Sequence, residues 1–449
     1  MKFHKSKKDI LNGNITEQIL LFTIPIMGSY LIQQLYQFVD SIALGRYASI
    51  EALAAVGGSA SMIINVLLNI VTGIATGVMI VVAQSYGRGN MERLRDSVKT
   101  GMFISVIFGG IISIISALLA NPLLHLMKCP EETIPLSLIY LFLNFAGIIP
   151  YMIYMVGTNI LRASGDTRIS LFFTIIIASV KIVLDLILTV VYKMGVWGVS
   201  ISTLAAYLVC GIAVLVILYK TPNQYHYDIR SFGCDFDLLK TIFKLGTPIA
   251  IQSAVFAITS AFVSVRINEQ GTNSIAAYSI YTNIDNLYWS FSSGLGTAIV
   301  TIAGQNYGNK NLVRVKQTLK YGILINIVAV IIFGAFEYFA CPYIAFLFTD
   351  NIEVMNIAEG MVKLIAISYA GYILVETVSS TIKACGDSMN SMIIAIIGIC
   401  VVRFIYLSVF KFTDVNQVIM CYPISWIITS IIYLIYYLLN KKYRLAKSN

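Results

Sequence analysis

Charge is scarce in this chain: Lys, Arg, Asp and Glu together make up 12% of its 449 residues, against roughly 25% in an ordinary soluble domain. Histidine is scarcer still, and His4, His125 and His226 lie far apart, with no H-E-x-x-H pattern among them. That removes the common helical zinc-hydrolase arrangement. No G-x-x-x-x-G-K-[ST] phosphate loop occurs, which excludes an ATP-driven pump carrying its motor on this chain. The seven cysteines, at 129, 210, 234, 341, 385, 400 and 421, form no C-x-x-C pair and mostly fall in apolar runs. They read as small buried hydrophobes, with no disulfide framework implied. No catalytic motif is left, so the expectation is a protein that is not an enzyme and that uses no cofactor and no metal.

What the chain has in excess is apolar surface. Hydrophobic residues are 58% of the sequence and the mean hydropathy is +0.81, which places the chain in a lipid bilayer. Crossing ~30 Å of hydrocarbon takes about 20 apolar residues. Twelve runs qualify, near 17–44, 53–83, 98–120, 133–159, 168–192, 196–219, 241–267, 274–303, 319–340, 356–382, 389–411 and 415–439.

The runs fall into two sets because the sequence repeats itself. Pro25 aligns with Pro248, Gln84-Ser-Tyr-Gly-Arg-Gly-Asn90 with Gln305-Asn-Tyr-Gly-Asn-Lys-Asn311, Pro122 with Pro342, and Arg162-Ala-Ser-Gly-Asp-Thr167 with Lys383-Ala-Cys-Gly-Asp-Ser388. The offsets stay between 220 and 223, so a unit of about 220 residues is duplicated. Six spans per unit is an even number, and both halves therefore enter the membrane from the same side. The expected fold is an all-α integral membrane protein of twelve transmembrane helices in two six-helix lobes, related by a pseudo-two-fold axis along the membrane normal. The lobes are expected at 1–220 and 241–449, joined by a cytoplasmic linker at 221–240.

Basic residues set the orientation. With the N-terminus inside, only Arg46, Lys128, Lys193, Arg266 and Lys411 fall in outside loops, and Lys181, Lys363 and Arg403 lie within spans, leaving 23 of the 31 Lys and Arg on the inside. Both termini are thus expected in the cytoplasm of a multi-pass plasma-membrane protein. The same bias accounts for the net charge of +9, so nucleic acid is not an expected partner. Lys7 and Lys8 precede an apolar stretch as in a signal peptide, but no convincing cleavage site follows, and the stretch is expected to remain as the first helix.

Ionisable residues inside spans cost about 2.5–3.5 kcal/mol each at mid-helix unless paired, so the few present are the candidate site. Those singled out are Asp40, Lys181 with Asp185 at an i,i+4 spacing that puts both on one helix face, Asp285, Glu376 and Arg403. Structural ion pairs facing the bundle interior are the alternative reading of all of these, weighing most on the last three. Tyr30, Tyr36, Met62, Tyr281, Tyr288, Trp289 and Phe291 offer polarisable surface that suits flat lipophilic cations, with Asp285 and Glu376 as charge partners. Most aromatics in such a chain must nonetheless be packing or interface anchors, Trp197 and Trp426 among them.

At these residues the chain resembles the multidrug and toxic compound extrusion (MATE) transporters, specifically their DNA-damage-inducible-F-like branch. The resemblance rests on an ordered set: Thr23-Ile-Pro25, Val39-Asp40-Ser followed by Leu44-Gly45, Ala52-Leu-Ala-Ala-Val-Gly57, Ala83-Gln-Ser-Tyr-Gly87, Leu161-Arg-Ala-Ser-Gly-Asp166, Ile182-Val-Leu-Asp185 and Gly195-Val-Trp-Gly198. It implies a twelve-helix antiporter that exports cationic amphiphiles in exchange for protons or sodium. It also implies that Asp40 and Asp185 are the coupling carboxylates, with Thr203 as a neighbouring oxygen, and that helix one bends at Pro25. Two positions depart from the pattern: Lys181 stands where relatives usually place Asn, and Leu186 where Pro often follows. Helix seven, from Pro248 to about Val265, carries no carboxylate, so the ion site of the sodium-coupled branch is not reproduced there, with Glu376 at best a partial substitute.

The resulting expectation is a secondary active antiporter, working as a monomer in the lipid bilayer on small cationic substrates, with protons as the driving ion and sodium as the other option. Two carboxylates in a low-dielectric lobe form a negative site for which a proton and a cationic substrate can compete. Lys181 would disfavour a sodium ion between them, or else form a static pair with no part in coupling. A lipid or lipid-linked-sugar flippase is the alternative; it would need a basic cavity, for which the interior offers Lys181, Arg403 and Lys363. A passive channel fits poorly with two lobes on a long linker.

Overall fold

A computed structural model describes residues 10–47, 50–127, 129–220, 226–228 and 231–440. The basic residues Lys2, Lys5, Lys7, Lys8, Lys128, Arg230, Lys441, Lys442, Arg444 and Lys447, and the linker positions 221–225 and 229–230, lie outside the described residues. Within them every regular element is helical, as lipid demands of a backbone that must satisfy its own polar groups. The first repeat forms α1 (Ile15–Tyr47), α2 (Ile50–Gly57), α3 (Ser59–Gly87), α4 (Met91–Leu126), α5 (Ile134–Ala146), α6 (Ile148–Ala163), α7 (Thr167–Asp185) and α8 (Val196–Lys220). The second forms α9 (Phe236–Asn268), α10 (Thr272–Gly308), α11 (Leu312–Phe348), α12 (Ile352–Ser368), α13 (Ile373–Ala384), α14 (Ser388–Ala395), α15 (Val402–Val409), α16 (Val415–Ile419) and α17 (Cys421–Leu439).

Among the described residues, ten helical stretches are long and apolar enough to cross a membrane, and eleven if α5 and α6, bent by 44° at Gly147, count as one span. The expected twelfth crossing is α10. It runs for 37 residues but does not pass on apolarity, because Ser274, Ser279, Thr282, Asn283, Asp285, Asn286 and Ser290 interrupt it.

By packing, the chain forms two compact units, one spanning Gly28–Ala250 and the other running from Ile251 onward together with the stretch up to Met27. Both divisions fall inside helices, α1 and α9, two residues after Pro25 and Pro248. The sequence repeats and the packing units therefore differ: the first half of each repeat's first helix packs with the other repeat. Glycines on the neighbouring helices permit this. A Cβ at Gly73 of α3 would lie 2.4 Å from the Ala250 Cα, and one at Gly77 would lie 2.8 Å from the Gly246 Cα. In the other unit a Cβ at Gly294 of α10 would lie 3.0 Å from the Thr23 carbonyl oxygen and 3.1 Å from the Met27 nitrogen. Small residues spaced four apart let helix backbones touch in a medium where no hydrophobic effect drives helices together.

Within the Gly28–Ala250 unit, α3 packs on α4 and α6, and α8 packs on α5, α6 and α7; in the other unit α10 packs on α11, α12 and α13, and α13 on α17. The repeated Gly-Asp pairs make equivalent turns. Gly165 (φ 101) and Gly386 (φ 84) take the left-handed conformation that ends a helix, and Asp166 then caps α7 by accepting from the Ile169 N–H at 3.3 Å. All seven cysteines are free; five are buried, and Cys129 and Cys234 are partly exposed.

Candidate functional site

Lys181 sits at the centre of a buried charge cluster in the Gly28–Ala250 unit. Its Nζ lies 2.9 Å from Asp40 Oδ1 and 3.4 Å from Asp185 Oδ2, and it donates to Thr203 Oγ1 at 2.8 Å. Three elements supply these groups: Asp40 comes from α1, Lys181 and Asp185 from one face of α7, and Thr203 from α8. Asp185 is fully buried and Lys181 is 2% exposed, whereas the Asp40 side chain keeps 20% of its surface open. The Asp40 contact is a charge contact only, since Oδ1 lies outside hydrogen-bonding geometry and has no other partner among the described residues.

Sequence reasoning missed Ser202, whose hydroxyl donates to Asp185 Oδ1 while its neighbour Thr203 binds the ammonium. No periodicity distinguishes a coordinating serine from any other in a helix. Its position is explained by local structure: directly after Asp185 the helix widens into a π-helical turn, Leu186–Val191, a feature frequent at functional sites. Gly198 of α8 presses on that turn, so closely that a Cβ there would lie 2.6 Å from Thr189 Oγ1 and 3.1 Å from the Leu188 carbonyl carbon. Ser202 is one helical turn beyond Gly198, which brings it and Thr203 against Asp185.

The cluster holds two carboxyl groups and one ammonium. With both carboxyls ionised it would carry one uncompensated negative charge in a largely buried site, which is costly. A proton or a cationic ligand removes that cost. Tyr36 lies one turn before Asp40 and is buried, Tyr30 and Pro25 are half-buried, and Met62 is 46% exposed. Tyr207, one turn after Thr203, lies 4.8 Å from Tyr151 with the rings tilted at 47°, and both face a small pocket with Leu67, Leu68, Asn144 and Ile148.

The remaining sequence candidates gather in the other unit. Asp285 Oδ2 accepts from Trp289 Nε1 at 2.7 Å and from Tyr281 Oη at 3.0 Å, and Asp285 Oδ1 faces Tyr369 Oη at 2.5 Å. Tyr288 is fully buried and stacks on Tyr369 at 3.9 Å, Phe291 packs in an adjacent apolar core, and Trp426 closes the aromatic group beside Trp289 and Tyr372. Trp197, by contrast, is 47% exposed. Glu376 accepts from Tyr372 Oη and Ser380 Oγ, each at 3.2 Å. Arg403 donates to Ser425 Oγ at 2.9 Å and lies 4.2 Å over the Tyr422 ring. Asp285, Glu376 and Arg403 form no ion pair with one another among the described residues.

Helices of this length and apolarity, carrying a buried, ion-paired carboxylate cluster, fit a multi-span membrane transporter. The MatE family model matches the chain twice, over residues 25–187 and 248–408, and the chain belongs to that transporter family. The two matches begin at the aligned prolines and independently mark the internal repeat. The chain is 26% identical, over 86% of its length and 85% of the relative's, to a protein named probable multidrug resistance protein YoeA of Bacillus subtilis. It is 24% identical, over 87% and 84%, to probable multidrug resistance protein NorM of Thermotoga maritima. Its fold matches a structure described as the outward-facing conformation of a multidrug resistance MATE family transporter of the MOP superfamily, at a TM-score of 0.89 and 22% identity, covering 98% of both chains.

Proposed function

We propose that this protein is a proton-driven antiporter of the DNA-damage-inducible-F-like branch that exports cationic amphiphilic compounds, acting as a monomer in the plasma membrane with both termini in the cytoplasm. The observation that carries the ion assignment is the position of Lys181. Its ammonium lies among oxygens of Asp40, Asp185 and Thr203 at 2.9, 3.4 and 2.8 Å. A tethered cation thus stands where a sodium ion would need to sit, and adding a second cation between the same oxygens is disfavoured by repulsion. What the cluster can still accept is a proton on Asp40, whose Oδ1 has no hydrogen-bond partner among the described residues and whose side chain keeps more open surface than that of Asp185. A cationic substrate and a proton then compete for one negative charge, and the membrane potential adds about 2.3 kcal/mol per charge per 100 mV. The multidrug names of the relatives support the substrate class.

The flippase alternative needs basic groups open to a phosphate. Lys181 is buried under three oxygens, Arg403 is 6% exposed beneath Tyr422, and Lys363 is paired with Glu359, so no observation favours it. The deciding measurement is ethidium transport in proteoliposomes under imposed proton or sodium gradients. Export driven by the proton gradient alone is the expected result; export that follows sodium and ignores pH would overturn the reading.

A further inference from the structure

Glu337 plays no part in the site above. It lies in α11 at 1% exposure, makes no ion pair among the described residues, and its Oε1 is buried without a hydrogen-bond partner. Its other oxygen, Oε2, is 2.7 Å from Tyr369 Oη. The same phenol oxygen is 2.5 Å from Asp285 Oδ1. Tyr369 opens a 3-10 break, Tyr369–Tyr372, between α12 and α13, and the break places its hydroxyl between two carboxyl groups from two other helices.

Proton counting then leaves a deficit. A phenol carries one hydrogen and can donate to only one of its two neighbours. If both carboxyls were ionised, the second contact would set two lone pairs against each other in a buried site. It becomes a hydrogen bond only when one carboxyl carries a proton and donates it to the phenol oxygen. The partners decide which carboxyl that is. Asp285 already accepts from the Trp289 and Tyr281 side chains, and bonds from donors favour the charged form, whereas among the described residues Tyr369 is the one side chain that hydrogen-bonds to Glu337.

We propose that Glu337, Tyr369 and Asp285 form a proton-binding site in the unit that begins at Ile251, with the proton held on Glu337 and shared toward Asp285 through the Tyr369 hydroxyl. In the resting arrangement Glu337 Oε2–H donates to Tyr369 Oη, and Tyr369 O–H donates to Asp285 Oδ1. Transfer breaks those two O–H bonds and forms one on Tyr369 and one on Asp285, leaving Glu337 as the carboxylate. No oxidant, reductant or further reactant is needed. Arg403 is the cation whose field reaches Asp285. The groups next to the site are Tyr281, Tyr288 and Trp289 on α10 and Cys341 one turn along α11, and beyond them stand Glu376 near Tyr288, the Glu359–Lys363 pair near Cys341 and Tyr422 against Arg403.

The test is infrared difference spectroscopy of the purified full-length protein in lipid nanodiscs, in H2O and D2O at neutral pH, which needs no transport and stands whether or not the antiport reading holds. The wild type is expected to show a protonated-carboxyl C=O band that shifts in D2O, loses one carboxyl's intensity in Glu337→Gln, and persists in Asp285→Asn, Asp40→Asn and Asp185→Asn. Tyr369→Phe should keep the band but move its frequency, because the phenol bond is gone; this variant decides the matter if Glu337→Gln does not fold. A spectrum in which Glu337→Gln removes nothing, or in which Tyr369→Phe leaves the band unmoved, would overturn the proposal.

Discussion

Around Lys181, one ammonium serves two carboxyl groups, and this inequality makes the variants of the cluster asymmetric. Removing either carboxylate leaves one cation and one anion, so Asp40→Asn and Asp185→Asn should fold and express like the wild type. The amide keeps the volume and some hydrogen bonding but cannot titrate, and each variant is expected to abolish gradient-driven export in the proteoliposome assay. Lys181→Met is a different case, because it leaves the buried Asp185 and the mostly buried Asp40 as two unpaired anions. It should cost about 3–5 kcal/mol at neutral pH. The expected readout is a fall in melting temperature for Lys181→Met that neither Asp40→Asn nor Asp185→Asn shows; an unchanged melting temperature in Lys181→Met would refute the charge-pairing role of Lys181.

Helix ends and helix contacts, rather than single charges, set the geometry of the site. Gly198→Ala improves intrinsic helix propensity by roughly 1 kcal/mol, yet its Cβ would fall 2.6 Å from Thr189 Oγ1 and force α8 away from the π-helical turn. The expected outcome is reduced export with little loss of stability, because Ser202 and Thr203 move off Asp185 and Lys181; melting curves and transport on the same preparation check this. Asp166→Asn tests the opposite kind of contact. Asn still caps a helix, so stability should change by well under 1 kcal/mol and export should continue, as befits a turn residue with no role in coupling.

Over the whole molecule, the exchange of helix halves at Pro25 and Pro248 joins the two packing units through α1 and α9. Gly73 and Gly294 make the corresponding contacts in the two units, each against the first half of the other repeat's first helix. Gly73→Leu and Gly294→Leu should therefore destabilise the protein to a similar extent, by about 1–3 kcal/mol as overpacking does, read as matched falls in melting temperature. If only one variant were destabilised, the two contacts would not be equivalent. We further propose that the repeats 1–220 and 241–449 superimpose by a two-fold along the membrane normal, as follows if each holds the six spans expected from its sequence; an inverted relation in an experimental structure would refute it.

Composition, the ordered motifs and the repeat were enough to determine an all-helical membrane protein of the transporter class, because lipid allows a chain only apolar helices and the repeat leaves its punctuation residues in register. Asp40, Lys181 and Asp185 were legible for the same reason: a charge within an apolar run is costly and therefore stands out. Thr203 came from family resemblance alone. Ser202 was not legible, since a serine costs little in a helix and carries no periodic signal. Glu337 could have been found by the rule that found Asp40, as a lone carboxylate in an apolar run, but its partner Tyr369 could not, being one tyrosine among 27. The packing units were out of reach as well, because hydropathy and repeat period describe each span separately. Which halves of α1 and α9 pack where depends on backbone approaches at glycines far apart in sequence, and those distances exist only in the folded chain.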